Sequence, residues 1–232
     1  MSKCIRAQVA IVFLLSLMIF CVPVMAYSAE ATEWYEQGNL LIAAGNVTGA
    51  IAAYDHAVIL EPDYYESWDA RADALNRDGQ FSAALADSDR ALQINSSFVQ
   101  GWINRGQILY NIGMVYEDQK NDLTTANEYY TEQLLAFEKA IELDPGNADA
   151  WFNKGYALAG MKKYDEAIAA FDKVQTLDPD YPKIAQNKQI AQQLKDKTAP
   201  DYLKFLPVFA GIAGIIVMVV IWFTFLREKD KE

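Results

Sequence analysis

The sequence predicts an all-α protein: an α-solenoid of four stacked helix pairs plus a capping helix, followed by a single transmembrane helix. Three observations lead to this prediction. Tryptophans recur at spacings of 34, 34 and 49 residues. Apolar residues between them follow the 3.6-residue period of helices, and no segment alternates as a β-strand does. A stretch of 22 residues without a charge lies near the C-terminus.

The clearest copy of the repeated unit lies at residues 148–181. It contains Trp151, then Gly155 four residues later, then Ala167 and Phe171 in the second half of the unit, and it ends with Asp178-Pro179. The same order recurs upstream at Trp34, Gly38, Ala50, Tyr54 and Pro62, at Trp68, Ala72, Ala84 and Ala91, and at Trp102 and Gly106. Each unit is therefore expected to form a helix, a turn and a second helix.

A period near 34 residues with Trp, Gly, Ala, an aromatic residue and Pro in this order resembles the tetratricopeptide repeat (TPR). The resemblance covers residues 31–181 and divides them into units 31–64, 65–98, 99–147 and 148–181. It implies a right-handed stack in which the first helix of each pair lines a concave groove. The chain departs from the family where Leu usually precedes the glycine, since it has Gln37, Arg71, Arg105 and Lys154 there.

Glycines are expected to end the first helix of each pair, because glycine readily takes the left-handed conformation that closes a helix. These residues are Gly45, Gly79, Gly113 and Gly160. The recurring tryptophans, Trp34, Trp68, Trp102 and Trp151, are expected to lie in the core and to hold the stack together.

The third unit is longer than the others, because Trp102 and Trp151 are 49 residues apart instead of 34. The additional stretch has no Pro or Gly, so both helices of this unit are expected to be extended. It is either a tolerated insertion or a contact surface formed by Tyr116, Tyr129 and Tyr130.

Residues 1–26 have the layout of a secretory signal peptide. Lys3 and Arg6 precede an apolar core at 9–20, and Val24-Met25-Ala26 supplies small residues for cleavage. An uncleaved membrane anchor is the alternative. Both cysteines, Cys4 and Cys21, lie in this segment, so a cleaved protein would contain no thiol or disulfide.

An amphipathic segment at 182–197 follows the repeats and is expected to form a capping helix, which repeat stacks need at their last apolar face. Its inward residues are expected to be Ile184, Ile190, Ala191 and Leu194. Residues 198–204 contain a proline and are expected to be a linker.

The charge-free stretch at 205–226 would be about 33 Å long as a helix, which is enough to cross a hydrocarbon core of about 30 Å. Residues 227–232 would then be a cytoplasmic tail. If the signal peptide directs export, the chain is a single-pass protein of the cell membrane with its repeats on the extracytoplasmic side.

The chain is acidic, with 31 Asp and Glu residues against 20 Lys and Arg and a formal net charge of −11. Such a surface repels phosphate backbones, so nucleic acid is not expected as a partner. The only histidine is His56, which is expected to be solvated. No motif for catalysis, a metal or a cofactor is present, and the sequence therefore predicts a protein without enzymatic activity.

The concave groove implied by the resemblance would carry residues at fixed offsets from each tryptophan. Asp69 and Asp73 are one helical turn apart and could bind a divalent cation or a basic side chain; otherwise they form a solvated acidic face. The predicted groove residues are Tyr35, Asn39, Asp69, Asp73, Asn76, Ile103, Asn104, Gln107, Tyr110, Phe152, Asn153 and Tyr156.

These features predict a membrane-tethered scaffold that binds a protein or peptide partner in its concave groove. The acidic and amide side chains favour a partner that is basic or amide-rich. The alternative is a structural membrane protein that self-assembles as a homo-oligomer, through the convex side, the third unit or the membrane helix.

Overall fold

The computed structural model describes residues 27–198, which form nine helices and no strand. The helices are α1 (Ala29–Ala43), α2 (Val47–Leu60), α3 (Tyr65–Arg77), α4 (Phe81–Ile94), α5 (Val99–Asp118), α6 (Leu123–Leu143), α7 (Ala148–Gly160), α8 (Tyr164–Leu177) and α9 (Ile184–Thr198). The all-α prediction is confirmed for this part of the chain.

The predicted signal peptide at 1–26, the predicted transmembrane helix at 205–226 and the predicted tail at 227–232 lie outside the described residues. So do residues 199–204 of the predicted linker, whereas Thr198 is the last residue of α9. Within residues 27–198, no helix combines the length and the apolar character that crossing a membrane requires.

Short polar side chains begin several of the helices. Asn46 accepts a hydrogen bond from the Gly49 amide at 3.0 Å at the start of α2, and Asn147 accepts one from the Ala150 amide at 2.9 Å at the start of α7. Asp122 caps α6 in the same way. Each side chain satisfies an amide that has no partner within its helix.

Glycine ends two first helices as predicted. Gly45 and Gly79 follow α1 and α3 with φ of 76° and 81°, which are left-handed values. The prediction for Gly113 is wrong, since this residue is buried inside α5, which continues to Asp118. The apolar helical pattern does not stop at Gly113, and the left-handed position before α6 is taken by Asn121, with φ of 49°.

The third helix pair is longer than the others, as predicted. Helices α5 and α6 have 20 and 21 residues, whereas the other described helices have 13 to 15. The additional residues of the third pair are therefore added to the helices themselves and not to a long loop.

The chain divides into two compact units, with the boundary between Val115 and Tyr116 inside α5. Among the described helices, the first unit contains α1 to α4 and most of α5. The second contains the end of α5 and α6 to α9.

In both units the repeated glycine makes room for an aromatic ring of the second helix. A Cβ atom on Gly38 would lie 2.3 Å from Cε1 of Tyr54, and one on Gly155 would lie 2.6 Å from Cε1 of Phe171. Such distances are far below van der Waals contact. The Gly and the aromatic residue of the motif are therefore two halves of one close packing contact within a helix pair.

The recurring tryptophans are only partly buried, so the expectation that they are full core residues is wrong. The indole N–H of Trp68 donates to the carbonyl of Pro62 at 3.0 Å, and that of Trp151 donates to the carbonyl of Pro145 at 3.0 Å. Trp102 makes the same bond to Ser96 at 2.9 Å. A tryptophan can be buried along one side while its N–H fastens the loop six residues upstream.

Helix α9 packs on α8 through Ile184 and Ala191, which are 4% and 1% exposed. Ile190 and Leu194 were also predicted to face inward, but they are 45% and 36% exposed, so this part of the prediction is wrong. Because α9 packs mainly on one helix, only a narrow stripe of its surface is covered.

Candidate partner-binding surface

In the first unit, the predicted groove residues lie on the first helices α1, α3 and α5. Two hydrogen bonds join α3 to α5 through these side chains. Asn104 Nδ2 donates to Asp69 Oδ2 at 2.7 Å, and Asn111 Nδ2 donates to Asn76 Oδ1 at 2.8 Å. Each bond links residues 35 positions apart, one more than the repeat period, so each asparagine of α5 bonds to the α3 residue one position before its own equivalent.

Asp69 is the most buried acidic side chain of this surface, with 6% of its area exposed. Its Oδ2 accepts the bond from Asn104, while its Oδ1 is buried and has no hydrogen-bond partner. Burial raises the pKa of Asp69 to about 7; the Asn104 bond acts in the opposite direction, and the charges of Asp73 and Glu66 raise the pKa further. This carboxyl therefore changes its charge close to neutral pH.

Asp73 differs from Asp69 although it lies one turn away on the same helix. Its Oδ2 accepts a hydrogen bond from Nε of Arg77 at 2.8 Å, and both side chains are substantially solvent-exposed. Among residues 27–198, no group of three or more His, Cys, Asp or Glu side chains is arranged to hold a metal ion. Asp69 and Asp73 therefore differ in their burial and in their hydrogen-bond partners.

Ile103 does not belong to the surface, because it is 2% exposed. Its position after the tryptophan matches that of Asp69, which is also nearly buried, and that of Tyr35, which is partly exposed. The neighbouring positions remain available, since Asn104 is partly exposed and Gln107 is exposed. Tyr110 is partly exposed as well.

An aromatic cluster lies beside these polar groups and includes rings outside the predicted groove set. Tyr35 lies 5.2 Å from Tyr64 and 5.9 Å from Tyr54 between ring centroids. Tyr54 donates to Asn39 Oδ1 at 2.8 Å, and Tyr27 stacks on Tyr64 at 3.9 Å. No helix-periodic signal could have selected Tyr27, because it precedes α1.

Burial raises the pKa of Tyr54 and that of Tyr27 to about 12. For Tyr27, the adjacent Glu66 carboxylate acts in the same direction, and its Oε2 accepts a hydrogen bond from the phenol at 3.4 Å. Both phenols therefore remain neutral hydrogen-bonding groups over the physiological pH range.

In the second unit, the three predicted groove residues on α7 differ in their availability. Phe152 is partly buried between Phe171 and Tyr181, with ring centroids 5.9 Å and 5.0 Å away. Asn153 donates to the Asp149 carbonyl of its own helix at 2.8 Å. Tyr156 is 53% exposed and is the side chain of the three that presents most surface to solvent.

The tyrosines of the long third pair are occupied in contacts within the second unit. Tyr116 stacks on Tyr129 with centroids 5.4 Å apart, and the Lys120 ammonium lies 3.8 Å from the centroid of the Tyr116 ring. The Tyr130 hydroxyl donates to Glu117 at 2.7 Å. These contacts stabilise the turn between α5 and α6.

Two parts of the chain match family models, both described as tetratricopeptide repeat, over residues 35–98 and 148–181. These ranges cover residues 35–64 of the first predicted unit and the whole of the second and fourth units. These two ranges are tetratricopeptide repeats. The longer third pair lies between the two matched ranges.

Known proteins resemble this chain in sequence or in fold. An uncharacterized protein of Methanocaldococcus jannaschii is 41% identical over 69 residues, which are 30% of this chain and 71% of that protein. Two solved structures share the fold at 17% identity. A thermophilic TPR protein of Thermus thermophilus has a TM-score of 0.59, covering 78% of this chain and 97% of its own. MamA of Desulfovibrio magneticus has a TM-score of 0.54, covering 75% and 100%.

Proposed function

We propose that this protein is a membrane-tethered TPR scaffold that binds a protein or peptide partner and has no catalytic activity of its own. The observation that carries the proposal is the continuous set of acidic and amide side chains on α3 and α5. Hydrogen bonds join Asn104 to Asp69 and Asn111 to Asn76. The exposed Gln107 lies on α5, as do Asn104 and Asn111. Amide and carboxylate groups of this kind suit an extended chain with basic or amide side chains.

The membrane tether is proposed from the sequence of the segments outside residues 27–198. The stretch at 205–226 has the length and composition of a single span, and residues 1–26 have the layout of an export signal. With both, the repeats would lie on the extracytoplasmic side of the cell membrane. Protease treatment of intact cells tests this arrangement, since the repeats should be digested without lysis.

The binding surface is tested by site-specific photocrosslinking of the full chain in its native cells. A photoreactive residue replaces Gln107 in one version and Gln93 in the other. Gln107 lies on α5 and Gln93 on the second helix α4, and both side chains are exposed. We expect position 107, and not position 93, to give a defined product that mass spectrometry can identify.

The variants Gln107→Lys and Gln93→Lys provide a matched comparison, because they introduce the same charge at two exposed positions. Repulsion of a basic partner should reduce its recovery with Gln107→Lys only. Equal recovery with both variants, or the same products from both crosslinking positions, would place the binding surface elsewhere. Replacing both Asp69 and Asp73 by lysine would be a poorer test of the binding surface, since a lysine at the buried position 69 would disrupt packing.

Self-assembly is the second candidate function, and the exposed apolar residues of the first unit favour it. Leu40 is 71% exposed on α1, and Ile59 is 66% exposed near the end of α2. Burying such residues against a second copy would be favourable. Sedimentation velocity of the full chain tests this function: a concentration-dependent dimer that Leu40→Glu abolishes would support it, and a monomer at all concentrations would contradict it.

A further inference from the structure

One oxygen of the buried Asp69 carboxyl has no hydrogen-bond partner. Its Oδ2 accepts the Asn104 amide at 2.7 Å, and its Oδ1 accepts nothing. Buried polar atoms in native proteins almost always have a hydrogen-bond partner, so an exception needs an explanation. The position of Asp69 suggests one, because it lies on the face of α3 that meets α5 among the other polar groups of the proposed binding surface.

The charges around Asp69 indicate which kind of partner is missing. Glu66 and Asp73 lie one turn away on either side along α3, and both raise the pKa of the Asp69 carboxyl through their negative charge. From α5 it accepts a hydrogen bond from the neutral Asn104 amide, and its charge acts on the neutral phenol of Tyr35 in α1. No cation is among the groups that shift this carboxyl.

The two arginines of α3 are already engaged. Arg77 forms its ion pair with Asp73, and Arg71 donates to Asp55 and Asp87 on the two neighbouring second helices. A metal ion does not suit the place either, because within the described residues no set of three ligating side chains is available. The environment of this nearly buried carboxyl is therefore negative, and no cation is among the groups that act on it.

We propose that Asp69 forms a subsite for one lysine or arginine side chain of the partner, with the ammonium or guanidinium group supplying the missing donor to its carboxylate. Asp73 lies one turn away and adds a second negative charge. Because Oδ1 is buried, the Asp69 side chain must turn toward the surface about its Cα–Cβ bond to meet the cation. The inference rests on the proposed function, since it specifies the side chain that the proposed binding surface recognises.

Cation binding at Asp69 should depend on pH, because burial brings the ionisation of this carboxyl close to neutral pH. The carboxyl must be ionised to bind a cation, and its pKa is raised to about 7 by burial. The apparent affinity for a cation should therefore be about tenfold weaker at pH 6 than at pH 8, because at pH 6 about nine in ten Asp69 carboxyls are protonated.

The experiment uses Nα-acetyl-lysine methylamide as the probe and the norleucine analogue, which lacks the charge, as the control compound. The full chain is labelled with ¹³C at Asp carboxyl carbons and ¹⁵N at Asn side-chain amides, and each compound is titrated by NMR. We expect saturable shifts of the Asp69 and Asn104 resonances with the lysine compound only, and about tenfold weaker binding at pH 6 than at pH 8.

Asp69→Asn should abolish the saturable shift of Asn104, whereas Asp78→Asn, the same change at an exposed position directly after α3, should leave it unchanged. The wild-type comparison at two pH values does not depend on any variant folding. Equal shifts with norleucine, no saturation at pH 8, or retained binding in a folded Asp69→Asn protein would overturn the subsite. Partner crosslinking at position 107 that persists in Asp69→Asn would then leave the proposed function standing without this subsite.

Discussion

Lys188 of α9 forms an ion pair with Asp172 of α8, and the two residues are separated by 16 positions. The same separation recurs in three other ion pairs between a first helix and the second helix before it. They are Arg71 with Asp55, Arg105 with Asp89, and Lys154 with Glu138. The last three cations occupy the position where the TPR family usually has Leu, so a charged contact between successive pairs replaces an apolar one. By this criterion, α9 is equivalent to the first helix of a fifth pair.

Removal of these cations should destabilise the protein in the order of their burial. Arg71 also contacts Asp87, whose side chain is only 10% exposed, whereas Lys188 and Asp172 are 38% and 51% exposed. Arg71→Ala should lower the free energy of unfolding by about 3–5 kcal/mol, because it leaves a buried carboxylate without its partner. Lys188→Ala should cost no more than about 1 kcal/mol. Urea unfolding of the full chain followed by circular dichroism measures both, and equal losses would contradict this order.

The repeated glycines should not tolerate a methyl group where they meet an aromatic ring. In Gly155→Ala the new Cβ would lie 2.6 Å from Cε1 of Phe171, so the ring must move. We expect a loss of about 1–3 kcal/mol in the free energy of unfolding. Gly160→Ala is the matched control on the same helix, because a Cβ there meets nothing within 4 Å. The control should be neutral or slightly stabilising by thermal unfolding, and a comparable loss in both would disprove the packing role.

The free energy of unfolding should decrease as pH rises from about 4 to about 7, because of Asp69. The pKa of this carboxyl is raised to about 7 in the folded state by burial, while it is about 3.9 in an unfolded chain. In this window the folded state holds a proton that the unfolded state has released. The free energy of unfolding therefore decreases by up to about 1.4 kcal/mol per pH unit from this group as pH rises.

Asp69→Asn removes this contribution, since an asparagine can still accept the Asn104 hydrogen bond and carries no charge. Unfolding midpoints in urea across this pH window should decline less steeply in Asp69→Asn than in the wild type, and the variant should be the more stable protein at pH 8. Asp78→Asn should keep the wild-type slope. An unchanged slope in Asp69→Asn would mean that Asp69 is ionised in the folded protein throughout.

The recurring tryptophans should contribute to the free energy of unfolding through their N–H hydrogen bonds as well as through their packing. Trp102→Phe keeps an aromatic ring but removes the donor to the Ser96 carbonyl, which is 2.9 Å away. We expect a loss of about 1 kcal/mol from the hydrogen bond alone. Hydrogen exchange of the amides at residues 95–99 should also increase, because the loop before α5 is no longer fastened. A loss of stability without any change in this exchange would assign the effect to packing only.

The repeat pattern was sufficient to predict which residues form helices and which helices pair. Trp34, Gly38 and Tyr54 recur at equivalent positions in later units, and a periodic pattern specifies the face of a helix that turns toward its partner. The two hydrogen bonds between α3 and α5 do not follow from the period alone, since they join residues 35 positions apart, one more than the period of 34. The length of the third pair was also predictable, because its sequence has no Pro or Gly that would end the helices early.

The sequence by itself therefore determined the repeated unit and the helix pairs. Only the tertiary structure decided that Ile103 is buried, that Asp69 is nearly buried with one oxygen unpaired, and that Tyr27 and Tyr64 join the aromatic cluster. The physical reason is that a helical period specifies the direction of a side chain from its own axis. Whether that side chain is covered depends on the neighbouring helices, which lie far away in the chain.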